Sequence, residues 1–197
     1  MGRIKSALEL ALERTEAVKG DKDSVSNYEA KQRGKKLANA FLEDSSLSLS
    51  GEIKKADPAQ REAFKQGIFE VLLSQVSLPQ SAGDMTRIEQ AGKGLAALIP
   101  HPQFGRLYSQ FTQALTRYLD EADQFEQAIK QQYAPKLRKK EEELARRLGQ
   151  QVQLDPFQDP EFVSFYNQNM NALKDKYQAL TAQVREQARL AYGEDSR

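Results

Sequence analysis

The chain has 197 residues, with 29 Lys and Arg against 28 Asp and Glu, a single His and no Cys. It is long enough to bury a core, and its formal charge of +1 gives no bulk attraction to polyanions. The missing cysteines exclude disulfides, thiolate nucleophiles and Cys-ligated zinc, and no apolar run approaches the length of about 18 residues that suggests a membrane span. A chain that is 29% charged and 39% hydrophobic suits helices with much solvated surface better than the greasier core of an α/β enzyme.

In chain order, Ile4, Ala7, Leu8, Ala11, Leu12, Thr15 and Val18 recur at three- and four-residue steps and predict a first helix, which Gly20 is expected to end before the polar stretch "DKDSVSN". Ala30, Gly34, Leu37, Ala38, Phe41 and Leu42 predict a second helix, with Lys31, Arg33, Lys35 and Lys36 on its other face. "EDSSLSLSG" reads as a Ser-rich loop. Asp57 before Pro58 is a helix-start signal. Phe64, Ile68, Phe69, Val71, Leu72, Leu73 and Val76 predict a third, well-buried helix closed by Pro79. A fourth runs from about Asp84 to Ile99, where Gly92 and Gly94 either weaken it or permit close packing, and Pro100 and Pro102 end it.

After "PHPQ" the pattern changes. Phe104, Phe111, Tyr118 and Phe125 repeat every seven residues, as do Tyr108, Leu115, Ala122 and Ile129, which is a heptad seam. The register fails at Pro135 and resumes one residue later at Leu137, Leu144 and Leu148, so a kink or skip is expected at the proline. Gly149 ends this arm, and Asp155 and Asp159, each before a proline, mark new helix starts. Beyond them Tyr166, Leu173 and Leu180 form one column and Met170, Tyr177, Val184 and Ala191 another. Two heptad arms joined by a short turn predict an antiparallel hairpin. The expected fold is therefore all-α: an N-terminal helical bundle of about four helices over 1–100, bearing a long coiled-coil-like helical hairpin over 101–197, with arms at about 104–149 and 160–192.

Candidate chemistry is sparse. His101 lacks any recognisable nucleophile or orienting partner and reads as a hinge residue between helices. "GKG" at 92–94 lacks the spacing and the preceding strand of a phosphate loop. Asp155, Asp159 and Glu161 form an acidic group that helix capping explains better than metal binding. No catalytic, cofactor-binding or metal-binding residue is expected. The remaining electrostatic candidates are Lys31, Arg33, Lys35 and Lys36 in "KQRGKK", with Lys136, Arg138, Lys139 and Lys140 in "YAPKLRKKEEELARRLG". The second set reads mainly as a solvated flank whose charges pair at i,i+4: Arg138 with Glu142, Lys139 with Glu143, Glu142 with Arg146, Glu143 with Arg147. Neither set offers the exposed rings interleaved with cations that a base-stacking platform needs.

The segments "MGRIKSALELALERTEAVKGDK", "EAKQRGKKLANAFLE" and "LGQQVQLDPFQDPEF" resemble an uncharacterised family of bacterial all-helical proteins of unknown function. The resemblance implies a bacterial cytoplasmic protein and transfers no functional residue. The expected function is a non-enzymatic interaction or scaffold protein, without cofactor or membrane partner, that acts through helix–helix contacts and self-association as a dimer. The alternative is an RNA- or ribosome-associated protein that uses the two basic sets.

Overall fold

The computed structural model describes residues 7–99 and 101–195. The fold is all-α, as expected, with helices α1 (Ala7–Glu43), α2 (Leu49–Lys55), α3 (Arg61–Ser74), α4 (Ala82–Leu98), α5 (Pro102–Leu148) and α6 (Pro160–Asp195). Two compact units form, the first from Met1–Val76, Glu89–Gly105 and Ala188–Arg197, the second from Ser77–Ile88 and Arg106–Gln187.

In the first unit α1 passes straight through Gly20 and "DKDSVSN", where the sequence predicted a break. A mid-helix glycine costs only about 1 kcal/mol, and no proline follows to block continuation. The predicted face from Ile4 to Val18 lies outside the described side chains. The predicted Ser-rich loop also changes character, because Ser48 caps α2 by accepting a hydrogen bond from the Gly51 N–H at 3.2 Å. Glu52 lies in its first turn and Lys54 and Lys55 in its last, each the favourable sign for the helix dipole. Asp57 does start a turn, accepting from the Ala59 N–H at 3.0 Å. However, α3 itself begins at Arg61.

Phe41, Leu49, Ile53, Ile68, Leu72, Val76, Leu95 and Ile99 are buried in this unit. The rings of Phe69 and Tyr192 stack with centroids 4.1 Å apart. Gly94 answers the question posed by "GKG": it is a packing glycine, with Leu72, Phe41 and Leu49 crowding the place of its missing side chain. His101, exposed, lies between α4 and α5, its N–H donating to Ile99 and its carbonyl accepting from Phe104.

In the second unit α5 and α6 form the expected hairpin. Tyr108, Phe111, Leu115, Tyr118 and Ile129 are buried along α5, facing Met170, Tyr177 and Val184 of α6. The Tyr118 and Tyr177 rings meet at 5.0 Å, and the Tyr108 hydroxyl donates to the Ile88 carbonyl at 2.9 Å.

The seam departs from the strict heptad in two places. Phe125 is 38% exposed and Leu148 is 60% exposed, although both occupy predicted seam positions. A helix with 3.6 residues per turn drifts away from a 3.5-residue seam, and an extra four-residue step corrects the drift. That correction falls ahead of Pro135: the buried row runs from Ile129 to Tyr133 and then to half-buried Leu137 and Leu144. The helix continues through Pro135 to Leu148.

Candidate functional site

The two basic sets occupy different settings. In "KQRGKK" the central Gly34 lies where α1 crosses α3. A β-carbon at Gly34 would collide with the Phe64 carbonyl, and one at Gly67 would collide with the Lys31 carbonyl. The two backbones are thus in direct contact, and the lysines flank that contact. Lys31 pairs with Glu70 at 2.6 Å and Lys35 pairs with it at 3.0 Å. Burial acts to raise the Glu70 carboxyl, but the two lysines outweigh it and hold its pKa below the ordinary value. The Arg33 guanidinium donates to Gln60 Oε1, and the Gln60 side-chain amide donates in turn to Ser26 Oγ. Exposed Lys36 and Arg33 share an open groove of about 610 Å³ with Tyr28, which is 64% exposed.

At the hairpin turn Gly149 takes φ +68°, the left-handed value that ends α5. Asp155 then accepts from the Phe157 N–H at 3.0 Å, opening a short 3-10 turn at Pro156–Gln158. Asp159 accepts from the Glu161 N–H at 3.1 Å at the start of α6. Both aspartates are therefore caps, as the sequence indicated. Asp159 does more than cap. Its nearly buried carboxylate receives the Tyr133 hydroxyl at 2.9 Å and the Lys140 ammonium at 2.7 and 3.0 Å. Lys140 and Lys136 also pair with Glu161, the latter at 3.1 Å.

The Lys140 hydrogen bond is the main force holding Asp159 below the usual carboxylate range, against burial, and the same lysine depresses Glu161. Reciprocally, Asp159 and Glu161 push the Lys140 ammonium well above its usual value. Burial, then Asp159, raises the Tyr133 phenol. Beneath the cluster Tyr133 packs with Ile129, Phe162 and Met170. Phe157 closes the turn edge-on to Phe162 and Tyr166, with Lys130 Nζ over its ring, 5.4 Å from the centroid.

Of the four predicted basic residues here, Lys136 and Lys140 are tied across the turn, while Arg138 and Lys139 face outward. None of the four predicted i,i+4 flank pairs closes among the described residues. The last two turns of α5 and the returning loop enclose a cleft of about 390 Å³, with Leu144 and Arg147 on one wall and Leu154 and Pro160 on the other. The Leu154 N–H donates to Glu141 Oε1 at 2.9 Å, which fixes the loop against the helix.

The Tyr133–Lys140–Asp159 constellation escaped the sequence reading, although its signal was present: Tyr133, Leu137 and Lys140 follow at four- and three-residue steps and so share one helix face. Among the described residues no group of three or more His, Cys, Asp or Glu is placed to hold a metal ion. No described helix is long and apolar enough to cross a membrane.

Residues 50–190 match DUF6657, a family of unknown function, and the chain belongs to that family. No curated protein and no solved structure matches it.

Proposed function

We propose that this chain is a non-enzymatic interaction protein whose hairpin end mediates self-association. The supporting observation is the end of α5. Leu148 is 60% exposed there, beside the cleft walled by Leu144 and Leu154. Glu142, Glu143, Arg146 and Arg147 lie exposed next to it.

A two-fold contact is self-complementary: whatever residue i meets on the partner, the partner's residue i meets here. A helix end carrying both signs of exposed charge beside leucines suits such a contact, because the glutamates of one copy can meet the arginines of the other while the leucines lose water. Fully burying a leucine contributes about 1.5–3 kcal/mol, less than the cost of association, so a stable dimer needs the whole end rather than one residue. A bacterial cytoplasmic setting belongs to this reading.

The test is light scattering coupled to size-exclusion chromatography across micromolar concentrations. A dimer that Leu148→Glu converts to monomer supports the proposal, and a strict monomer for the unaltered chain removes it.

A further inference from the structure

From its lining we infer that the groove beside Tyr28 on α1 binds a nucleotide unit, with the base stacked on the Tyr28 ring and the phosphate held by Arg33 and Lys36. This inference is independent of self-association, since it uses residues of the first unit only. Sequence reading found cations in "KQRGKK" without an aromatic platform. The structure supplies the ring: Tyr28, 64% exposed, lines one groove of about 610 Å³ with both cations.

Stacking on an exposed ring tolerates any base, because every base has a π-face, and neighbouring cations anchor the phosphate. Tyr28 and Lys36 stand two turns apart on α1, about 12 Å along the axis, and the long Lys36 side chain leans back toward the helix N-terminus and hence toward the ring.

The groove is preorganised. Arg33 is held by Gln60, and Gln60 by Ser26, so the guanidinium is fixed without being neutralised. The backbone contact at Gly34 sets the helix carrying both cations against α3.

Two carboxylates, Glu29 and Asp57, line the same groove and would repel a polyphosphate lying along its full length. They suit a base edge instead, where Asp and Glu accept from exocyclic amines such as cytosine N4. A ring, two cations and base-edge acceptors in one concavity therefore match a single nucleotide unit better than a continuous backbone track. That unit is either a free nucleotide or one residue of a single strand.

The test titrates the full chain at low salt with a fluorescein-labelled mixed-sequence single-stranded RNA by anisotropy, and with AMP and ATP by calorimetry. Saturable, salt-weakened binding of either ligand is expected. Binding of RNA alone assigns the unit to a strand, and binding of AMP or ATP assigns it to a free nucleotide; both support the inference. Tyr28→Ala should weaken affinity by about five-fold or more, the low end of base–aromatic stacking, whereas Tyr28→Phe should retain it. Lys36→Glu should weaken it too and lower the salt slope by about one for RNA. Both side chains are exposed, and unchanged circular dichroism verifies each variant's fold. No binding of either ligand, or binding that Tyr28→Ala and Lys36→Glu leave unchanged, overturns the inference.

Discussion

Gly34 and Gly67 are reciprocal: each leaves out the β-carbon that would strike a carbonyl of the opposite helix, Phe64 for the first and Lys31 for the second. The obstacle at both positions is backbone, which cannot rotate aside as a side chain can. Gly34→Ala and Gly67→Ala are therefore each expected to destabilise by about 3 kcal/mol, the upper range for overpacking, measured as a fall in the urea midpoint at unchanged slope.

Gly94→Ala provides the comparison. Its nearest neighbours are the ends of side chains, Leu72 Cδ1 at 2.6 Å and Phe41 Cε1 at 2.9 Å, which can rotate where a backbone carbonyl cannot. A loss of about 1 kcal/mol is expected. At Gly105, inside α5, nothing lies within 4 Å, so Gly105→Ala should stabilise by about 0.5–1 kcal/mol. Urea titration of the variants should rank Gly34 and Gly67 as worst, Gly94 next and Gly105 as a gain.

These glycines also show what the sequence could and could not tell. Helix content, the hairpin and the caps at Asp155 and Asp159 were legible, because periodicity and capping act over a few residues. The meaning of Gly34 was not, since "KQRGKK" reads as a basic face until α3 is laid against it. Gly20 misled for the opposite reason: a glycine's local cost is real but small, and the residues on both sides continue the helix. Tyr28 was invisible as a platform because its exposure depends on which face α3 covers. The seam was legible at Phe104 to Tyr118, Ile129, Leu137 and Leu144, and failed at Phe125 and Leu148, where helical drift turns the predicted position outward.

That drift makes Phe111 and Phe125 unequal, although strict heptad spacing assigns them equivalent positions. Phe111 is 1% exposed and Phe125 is 38% exposed. Phe111→Ala should cost about 3–5 kcal/mol, the usual range for a fully buried ring, and Phe125→Ala about 1 kcal/mol. Equal losses in thermal unfolding would restore the strict heptad and refute the shifted register.

Asp159 joins a helix cap to a tertiary contact. Asp159→Ala removes the acceptor for the Glu161 N–H and the buried carboxylate shared by the Tyr133 hydroxyl and Lys140 ammonium, leaving both with Glu161 alone. A loss of about 1–2 kcal/mol is expected, cap and hydrogen bond together. Asp155→Ala, which removes only the cap of the short turn, should cost about 0.5–1 kcal/mol. Hydrogen exchange should then show faster opening around 155–163 in the first variant than in the second.

The same cluster gives stability two pH limits. The Asp159 and Glu161 carboxyls lie below their ordinary values, chiefly through Lys140, as does Glu126 through Lys130. A depressed carboxyl stabilises the folded chain fully above its unfolded pKa, near 4, and that stability disappears as pH falls through the folded value. On the alkaline side the signs reverse. Asp159 and Glu161 raise Lys140, while burial, with Glu126 second, pushes the Tyr166 phenol up to about 12. A raised Lys or Tyr contributes fully below its unfolded pKa, near 10, and its contribution is lost as pH rises through the folded value. Thermal melts followed by circular dichroism should therefore show a plateau from about pH 5 to 9, with Tm falling below about pH 4 and above about pH 10. Asp159→Asn should flatten part of the acid limb, because the ion pair that gives it its slope is gone. An acid limb identical in Asp159→Asn and the unaltered chain would show that the Lys140–Asp159 pair does not set that limb.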